Sequence, residues 1–147
     1  MKRLLWELEW NEGMSVGIPA IDDDHKQFIS SIRNLNEAII ARMRPAEIHA
    51  RLQKIVDETK SHFEHEEQYF LEWKYPDAEG HALIHARILK SLQNILESFL
   101  PYGLEAEWVD AALVIKDLLI SHVLVEDMKY AHYLHGDSPR GAKPGKR

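Results

Sequence analysis

Residues 81–99 read HALIHARILKSLQNILESF, and this stretch decides the fold. The residues of one face recur at spacings of four, three, four, three and four: His81, His85, Ile88, Leu92, Ile95 and Phe99. This is the period of an amphipathic α-helix, in which side chains three and four positions apart share a face. Two histidines therefore lie on the face that this helix turns towards the protein core.

Three other segments show the same period. Their predicted inward faces carry Ile21, His25, Phe28, Ile32, Leu35 and Ile39 in the first, Leu52, Ile55, Thr59, His62, Glu66 and Tyr69 in the second, and Trp108, Ala111, Ile115, Leu118, His122 and Val125 in the fourth. Prolines separate the segments at Pro45, Pro76 and Pro101, and proline disfavours a helical conformation in the residue before it. Four helices of about 20 to 30 residues joined by short breaks predict an all-α, antiparallel, up-down-up-down four-helix bundle.

The length of 147 residues predicts one domain with its own core. We expect residues 1–135 to form this domain, with residues 1–18 as an N-terminal arm. Residues 136–147 contain four basic residues against one aspartate, together with three glycines and two prolines. That composition predicts a disordered basic tail.

Composition excludes several classes of site and partner. The chain has no cysteine, so disulfides, iron–sulfur clusters and cysteine-bound zinc are excluded. A net charge of −6 argues against nucleic-acid binding, which requires a basic face. No apolar run approaches the ~20 residues of a membrane span, and Glu7 and Glu9 interrupt any signal-peptide core. We therefore expect a cytoplasmic protein.

Seven titratable residues stand where a bundle core normally has Leu or Ile. They are His25, His62, Glu66, His81, His85, His122 and Asp127. Burying the charged members of this set without partners would cost several kcal/mol each, against a net stability of about 5–15 kcal/mol. A bound metal offsets that cost because it pairs with all of them at once. One inward histidine would be ordinary, but seven such residues predict a metal site.

The positions of these residues along the helices agree with a single site. His25 and His81 lie near the starts of the first and third helices, and His62 and His122 lie near the ends of the second and fourth. In an antiparallel bundle these four positions are at the same end. The sequence therefore predicts one layer of ligands that crosses all four helices.

The number and type of ligands indicate two ions. Histidine and carboxylate without thiolate suit iron, manganese or zinc, and four-coordinate zinc would leave three of the seven ligands unused. If Glu66 and Asp127 each bridge two six-coordinate ions, together with an oxo or hydroxo group, eleven of twelve positions are filled. The open position accepts a small ligand, for which oxygen is the obvious candidate if the metal is iron. Neither a Glu-x-x-His pattern of ferritin type nor a His-Glu-x-x-His zinc motif is present.

The sequence resembles the hemerythrins, specifically the stand-alone bacterial ones, over residues 10–133. The motifs that carry the resemblance are Ser15-Val16-Gly17-Ile18 with Ile21-Asp22 and His25, His62-Phe63 with Glu66-Glu67, Tyr75-Pro76 followed by His81 and His85, and His122 with Asp127. The resemblance implies that one iron takes His81, His85 and His122 and the other takes His25 and His62. It also implies bridges from Glu66 and Asp127, with the open position on the two-histidine iron.

Two further features concern the fourth helix. Hemerythrins often have Trp four residues before the last ligand histidine, where this chain has Leu118, and Leu124 resembles the residue that lines the oxygen pocket in the family. Five residues of α-helix would point His122 and Asp127 about 140° apart. We therefore predict a π-bulge near residues 122–127, because its i→i+5 bonding realigns them.

The leading functional prediction is a monomeric non-heme di-iron protein that binds oxygen reversibly for storage, transport or delivery, without catalytic turnover. Two alternatives share the same site: an oxygen or redox sensing module, and a di-iron enzyme acting on peroxide or nitric oxide. A helical interaction protein without metal is the remaining alternative. His65, one turn from His62, is predicted to be a solvated surface residue.

Overall fold

A computed structural model describes residues 8–98 and 105–135 of the chain. The predicted basic tail, residues 136–147, and the first seven residues of the predicted arm lie outside the described residues. Within the described ranges there is no strand. The helices are α1 (Pro19–Ile40), α2 (Pro45–Trp73), α3 (Ala78–Ser98) and α4 (Glu105–Ser121), then a π-helical turn (His122–Glu126) that runs directly into α5 (Asp127–His135). The last three segments form the fourth helix of the bundle.

The first two helices end in the same way. Arg42 and Lys74 adopt the left-handed backbone conformation, with φ of 56° and 53°. In each case the amide of the next residue donates to the carbonyl five residues back, at 3.0 Å. This Schellman arrangement satisfies carbonyls at the helix end and reverses the chain. After the first reversal, Pro45 occupies the first position of α2, where its missing N–H is not needed.

The helices pack as a closed four-membered ring. Helix α1 contacts α2 and α4, and α3 contacts α2 and α4. Each helix therefore has two neighbours, as the predicted up-down-up-down bundle requires, and the fold prediction is confirmed. No helix in the described ranges is both long and apolar enough to cross a membrane.

Two apolar clusters fill the interior, one on each side of the predicted ligand layer. The larger includes Phe63 and Leu92, and the smaller includes Phe70 and Tyr130. The ring of His85 stacks on Phe63, with centroids 3.7 Å apart, and lies 6.4 Å from the ring of Phe70. The histidine layer thus lies between hydrocarbon on both sides, which keeps bulk water away from it.

Candidate metal centre

The structure brings together the side chains of all seven predicted ligands. Their exposures range from 0% for Glu66 and Asp127 to 5% for His122. Helix α1 contributes one of them, α2 and α3 two each, the π-helical turn one and α5 one. The seven side chains therefore lie in one layer that crosses all four helices of the bundle, as the sequence predicted.

The ligand atoms form two overlapping groups, in each of which all atoms lie within 4.8 Å of one another. One group consists of His25, His62, Glu66 and Asp127, and the other of His81, His85, His122, Glu66 and Asp127. The two carboxylates belong to both groups, and each histidine belongs to one. We refer to these as the two-histidine group and the three-histidine group.

Glu66 divides its oxygens between the two groups. Its Oε1 lies 2.9 Å from His85 Nε2 and 3.6 Å from His81 Nε2. Its Oε2 lies 3.3 Å from His62 Nε2 and 3.8 Å from His25 Nε2. One carboxylate therefore offers one oxygen to each group.

The two oxygens of Asp127 likewise face different histidine groups. Its Oδ1 lies 2.9 Å from His81 Nε2 and 3.0 Å from His122 Nε2, both of the three-histidine group. Its Oδ2 lies 3.1 Å from His25 Nε2, in the two-histidine group. This is the arrangement that two bridging carboxylates need.

Several atoms of the cluster are buried without a hydrogen-bond partner. They are Glu66 Oε1, Asp127 Oδ2, His85 Nε2 and both ring nitrogens of His122, together with His25 Nδ1. The 2.9 Å separation between Glu66 Oε1 and His85 Nε2 does not have hydrogen-bond geometry. Leaving buried polar atoms unpaired costs about 1–3 kcal/mol for each group. Because most of these atoms point into the two groups, a metal ion in each group would satisfy them, and the residues present fit a pair of ions.

Residues 16–134 match the family model of the hemerythrin HHE cation binding domain. The chain belongs to the hemerythrin family. It is 27% identical to a bacteriohemerythrin of Stenotrophomonas maltophilia over 125 residues, which cover 84% of this chain and 79% of that protein. It is 26% identical to a myohemerythrin of Sipunculus nudus, over 82% of this chain and 88% of that protein. A bacteriohemerythrin of Campylobacter jejuni is 25% identical, over 86% and 95% respectively.

In this hemerythrin, two of the histidines are supported from outside by carboxylates. His62 Nδ1 lies 2.8 Å from Asp24 Oδ2, and His85 Nδ1 lies 2.8 Å from Glu67 Oε2. A hydrogen bond to Nδ1 leaves Nε2 as the free ligand atom that faces the metal, and it increases the basicity of the ring. The roles of Asp24 and Glu67 were not predicted from the sequence, although each residue is adjacent to a predicted ligand.

Tyr130 is another residue of the site that was not predicted from the sequence. Its hydroxyl donates a 2.5 Å hydrogen bond to Glu66 Oε2, and the residue is fully buried. Burial and the nearby Asp127 and Glu66 carboxylates raise the pKa of Tyr130 well above its usual value, so it stays a hydrogen-bond donor. The signal in the sequence was position, because Tyr130 lies three residues after Asp127 and so on the same helix face.

The metal-free cluster holds protons tightly. Burial by itself would lower the pKa of His62, but its hydrogen bonds to Asp24 and Glu66 raise that pKa to about 10. The pKa of His81 likewise rises to about 9, because its hydrogen bond to Asp127 and the nearby Glu66 carboxylate outweigh its burial. The pKa of Glu66 falls well below its usual value despite burial, because four imidazoles surround it. A metal must displace these protons to bind.

The π-helical turn brings Asp127 into the centre. The Asp127 amide donates to the carbonyl of His122, which is the i→i+5 bond of a π-helix, and the predicted π-bulge is confirmed. The predicted inward placement of Val125 is wrong, because Val125 is 54% exposed. Leu124 is 45% exposed, and its assignment to an oxygen pocket stays a prediction. Two residues beyond His122 the helix has turned about halfway round. The Leu124 side chain therefore leaves the helix on the side opposite to that of His122.

Leu118 lines a groove of about 510 Å³ that reaches the metal centre at His122. Its other walls include Ile84, Ile88 and Val114. Leu118 is partly buried and lines this groove together with His122. The groove reaches the three-histidine group.

Proposed function

We propose that this hemerythrin binds molecular oxygen reversibly at two iron ions, as a storage, transport or delivery protein and not as an enzyme. The observation that carries the proposal is the division of both carboxylates between the two histidine groups. Glu66 Oε2 and Asp127 Oδ2 face His25, while Glu66 Oε1 and Asp127 Oδ1 face His81. Two ferrous ions would supply the electrons on which reversible oxygen binding depends.

The unequal number of histidines makes the two halves of the centre different. The two-histidine group offers two imidazoles and two carboxylate oxygens, and the three-histidine group offers one imidazole more. With one shared oxo or hydroxo ligand, the first group provides five positions and the second provides six. The open position therefore belongs to the two-histidine half.

The chain places hydrocarbon against that half. The ring of Phe28 is 3% exposed, and its centroid lies 5.0 Å from that of His62 and 6.0 Å from that of His25. This aromatic ring gives the two-histidine half an apolar surface, which favours a small apolar ligand. The ligand set carries only two negative charges, so it stabilises highly charged iron less than a carboxylate-rich site does. Both properties favour binding of oxygen over its cleavage.

The test is a metal analysis combined with visible absorption spectra, recorded on the anaerobically reduced protein, in air, and after removal of oxygen. We expect about two irons per chain and a band that appears in air and disappears on deoxygenation. The His85→Ala variant should lose iron and the band, because His85 Nε2 faces Glu66 Oε1 in the centre. The His132→Ala variant, altered at an exposed histidine, should behave like the unmodified protein.

Two results would contradict the proposal. One is iron that oxidises in air without a reversible band, which would favour sensing or catalysis. The other is equal iron content in both variants, which would exclude the ligand set. The monomeric state and the cytoplasmic location both stay predictions. Size-exclusion chromatography of the iron-loaded protein tests the monomeric state.

A further inference from the structure

Two cavities in the described part of the chain have a proposed metal ligand in their wall, and their linings differ. The groove at His122 has aliphatic side chains in its wall, among them Ile84, Ile88 and Leu118, and also the polar Asp117, Ser121 and Glu126. A largely aliphatic wall offers a cation fewer groups to replace its water shell than a largely polar one. The second cavity, of about 260 Å³, has His62 in its wall and is lined mainly by polar residues, which include Asp24, Gln27, Glu58, Ser61 and His65. A hydrated cation would reach the buried centre through this polar pocket.

Asp24 and His65 lie close together in the wall of this pocket and are accessible to solvent. Their side chains are 37% and 41% exposed, and Asp24 Oδ2 lies 3.2 Å from His65 Nδ1. His65 is therefore exposed, as predicted, but it is not an isolated surface residue. The ligand atoms of Asp24, His65 and His62 all lie within 4.8 Å of one another. Asp24 and His65 belong to neither group of the buried centre, whereas His62 belongs to this cluster and to the two-histidine group.

The imidazole of His62 connects this cluster to the buried centre. Its Nδ1 lies 2.8 Å from Asp24 Oδ2 on the pocket side. Its Nε2 lies 3.3 Å from Glu66 Oε2 and 3.1 Å from His25 Nε2 on the inner side. Only the width of one ring separates an ion bound at Asp24 from the two-histidine group.

We propose that Asp24 and His65 form a loading site for divalent iron, from which the ion passes beside His62 into the buried centre. An imidazole and a carboxylate are donors that divalent first-row metals accept. Two protein ligands leave the other positions to water, so the ion binds weakly and leaves readily, as a transfer site requires. The inference rests on the proposed function, because it takes iron to be the ion that the buried centre holds.

Glu58 assists through its charge and not as a ligand. Its Oε1 accepts a 2.6 Å hydrogen bond from Ser31, and its Oε2 lies 3.6 Å from Lys54 Nζ and 3.4 Å from Gln27 Nε2. Glu58 also lies outside the group that Asp24, His62 and His65 form. The carboxylate still adds negative potential to the pocket wall, which attracts cations.

The first test measures the release of iron from the reduced, iron-loaded protein to a ferrous chelator under anaerobic conditions. A loading route is also the release route, so removing a ligand from it slows both directions. We expect His65→Ala to release iron several-fold more slowly than the unmodified protein. The iron content at saturation should not change, because His65 belongs to neither buried group. His132→Ala is the matched control and should release iron at the original rate.

The second test measures binding of Mn²⁺ to the iron-loaded protein, followed by loss of the free-ion electron paramagnetic resonance signal. Mn²⁺ binds more weakly than Fe²⁺ to a given site, so it does not displace the iron. We expect one weak additional site in the unmodified protein and in His132→Ala, and its loss in His65→Ala. Asp24→Asn is unsuitable for this test because Asp24 also supports His62.

The outcomes separate this inference from the proposed function. If the unmodified protein holds fewer than two irons, the proposed function fails. If it holds two irons, but His65→Ala releases them at the control rate or retains the Mn²⁺ site, the loading site alone is wrong. Absence of any Mn²⁺ site in the unmodified protein would also overturn it.

Discussion

The π-helical turn contains one residue more than an α-helix would need to align His122 with Asp127. Four residues of α-helix turn about 400°, within about 40° of a full turn, and rise about 6 Å. The five-residue separation is accommodated because the Asp127 amide bonds to the His122 carbonyl. Deleting Leu124 should therefore convert the turn to regular α-helix and leave both side chains on the metal centre.

The expected cost of this deletion is small. Leu124 is 45% exposed and faces away from the centre, so its loss uncovers little apolar surface. We expect about two irons per chain and a free energy of unfolding within about 1 kcal/mol of that of the unmodified protein.

Deletion of Leu113 is the matched control. This leucine is 42% exposed and belongs to α4, where no extra residue is accommodated. Its loss would rotate everything after it by about 100° relative to the residues before it. Ile115, Leu119 and His122 would leave the core, and each large apolar side chain lost from a core costs about 2–5 kcal/mol. That sum approaches the whole stability of a domain of this size, so we expect loss of iron and of cooperative unfolding.

Iron analysis, the visible spectrum in air and urea unfolding followed by circular dichroism distinguish the two deletions. Only the Leu113 deletion should destroy the site. If the Leu124 deletion lost its iron as completely as the Leu113 deletion, the π-helical turn would have a role beyond alignment. The extra residue would then be required by the metal centre itself, and the helical phase of His122 and Asp127 would not explain it.

Three further predictions concern the centre and its surroundings. Tyr130→Phe removes the hydrogen-bond donor to Glu66 Oε2. In urea unfolding of the iron-loaded protein, this change should lower the free energy of unfolding by about 1.5–3 kcal/mol. The control Tyr133→Phe, at an exposed hydroxyl, should change that free energy by less than about 0.5 kcal/mol. In the folded metal-free protein, the pKa of His62 rises from 6.5 to about 10 and that of His81 rises to about 9. Both histidines therefore stabilise the folded state fully below pH 6.5, and this stabilisation is lost as the pH rises through 9 to 10. Metal binding displaces the same protons and therefore strengthens as the pH rises. The difference in melting temperature between iron-loaded and metal-free protein, measured by circular dichroism, should widen between pH 6.5 and 9. A constant or narrowing difference would contradict the conclusion that metal binding displaces the protons of His62 and His81. Leu118→Trp should fill part of the groove at His122 and slow autoxidation in air, which would be seen as a longer-lived oxygen-dependent absorption band. An unchanged lifetime of that band would show that the groove does not control autoxidation.

Much of the fold and most of the centre follow from local regularities. The spacing of His81 and His85 with the apolar residues after them defines a helix face, because an α-helix has a constant 3.6-residue period. Short breaks between four such helices make neighbours antiparallel, and this puts the predicted ligands at one end. Even the π-bulge was predictable, because a five-residue spacing on one metal centre does not fit a regular α-helix.

Val125 shows where the same regularities fail. Its inward placement followed from the continued period of the fourth helix. The π-helical turn changes the phase of that period, so residues inside the turn do not follow it. The five-residue spacing predicts the distortion itself, but the orientation of the residues between His122 and Asp127 depends on the altered phase inside the turn.

The sequence by itself determined that this protein is a four-helix bundle with candidate metal ligands from all four helices in one layer, because helical period and chain reversal are properties of nearby residues. Only the tertiary structure decided how Glu66 and Asp127 divide their oxygens between the two groups. The same holds for the hydrogen bond from Tyr130 to Glu66 and for the placement of Asp24 between His62 and His65. These contacts join residues that are far apart in the chain, and side-chain rotamers and helix packing in three dimensions set them.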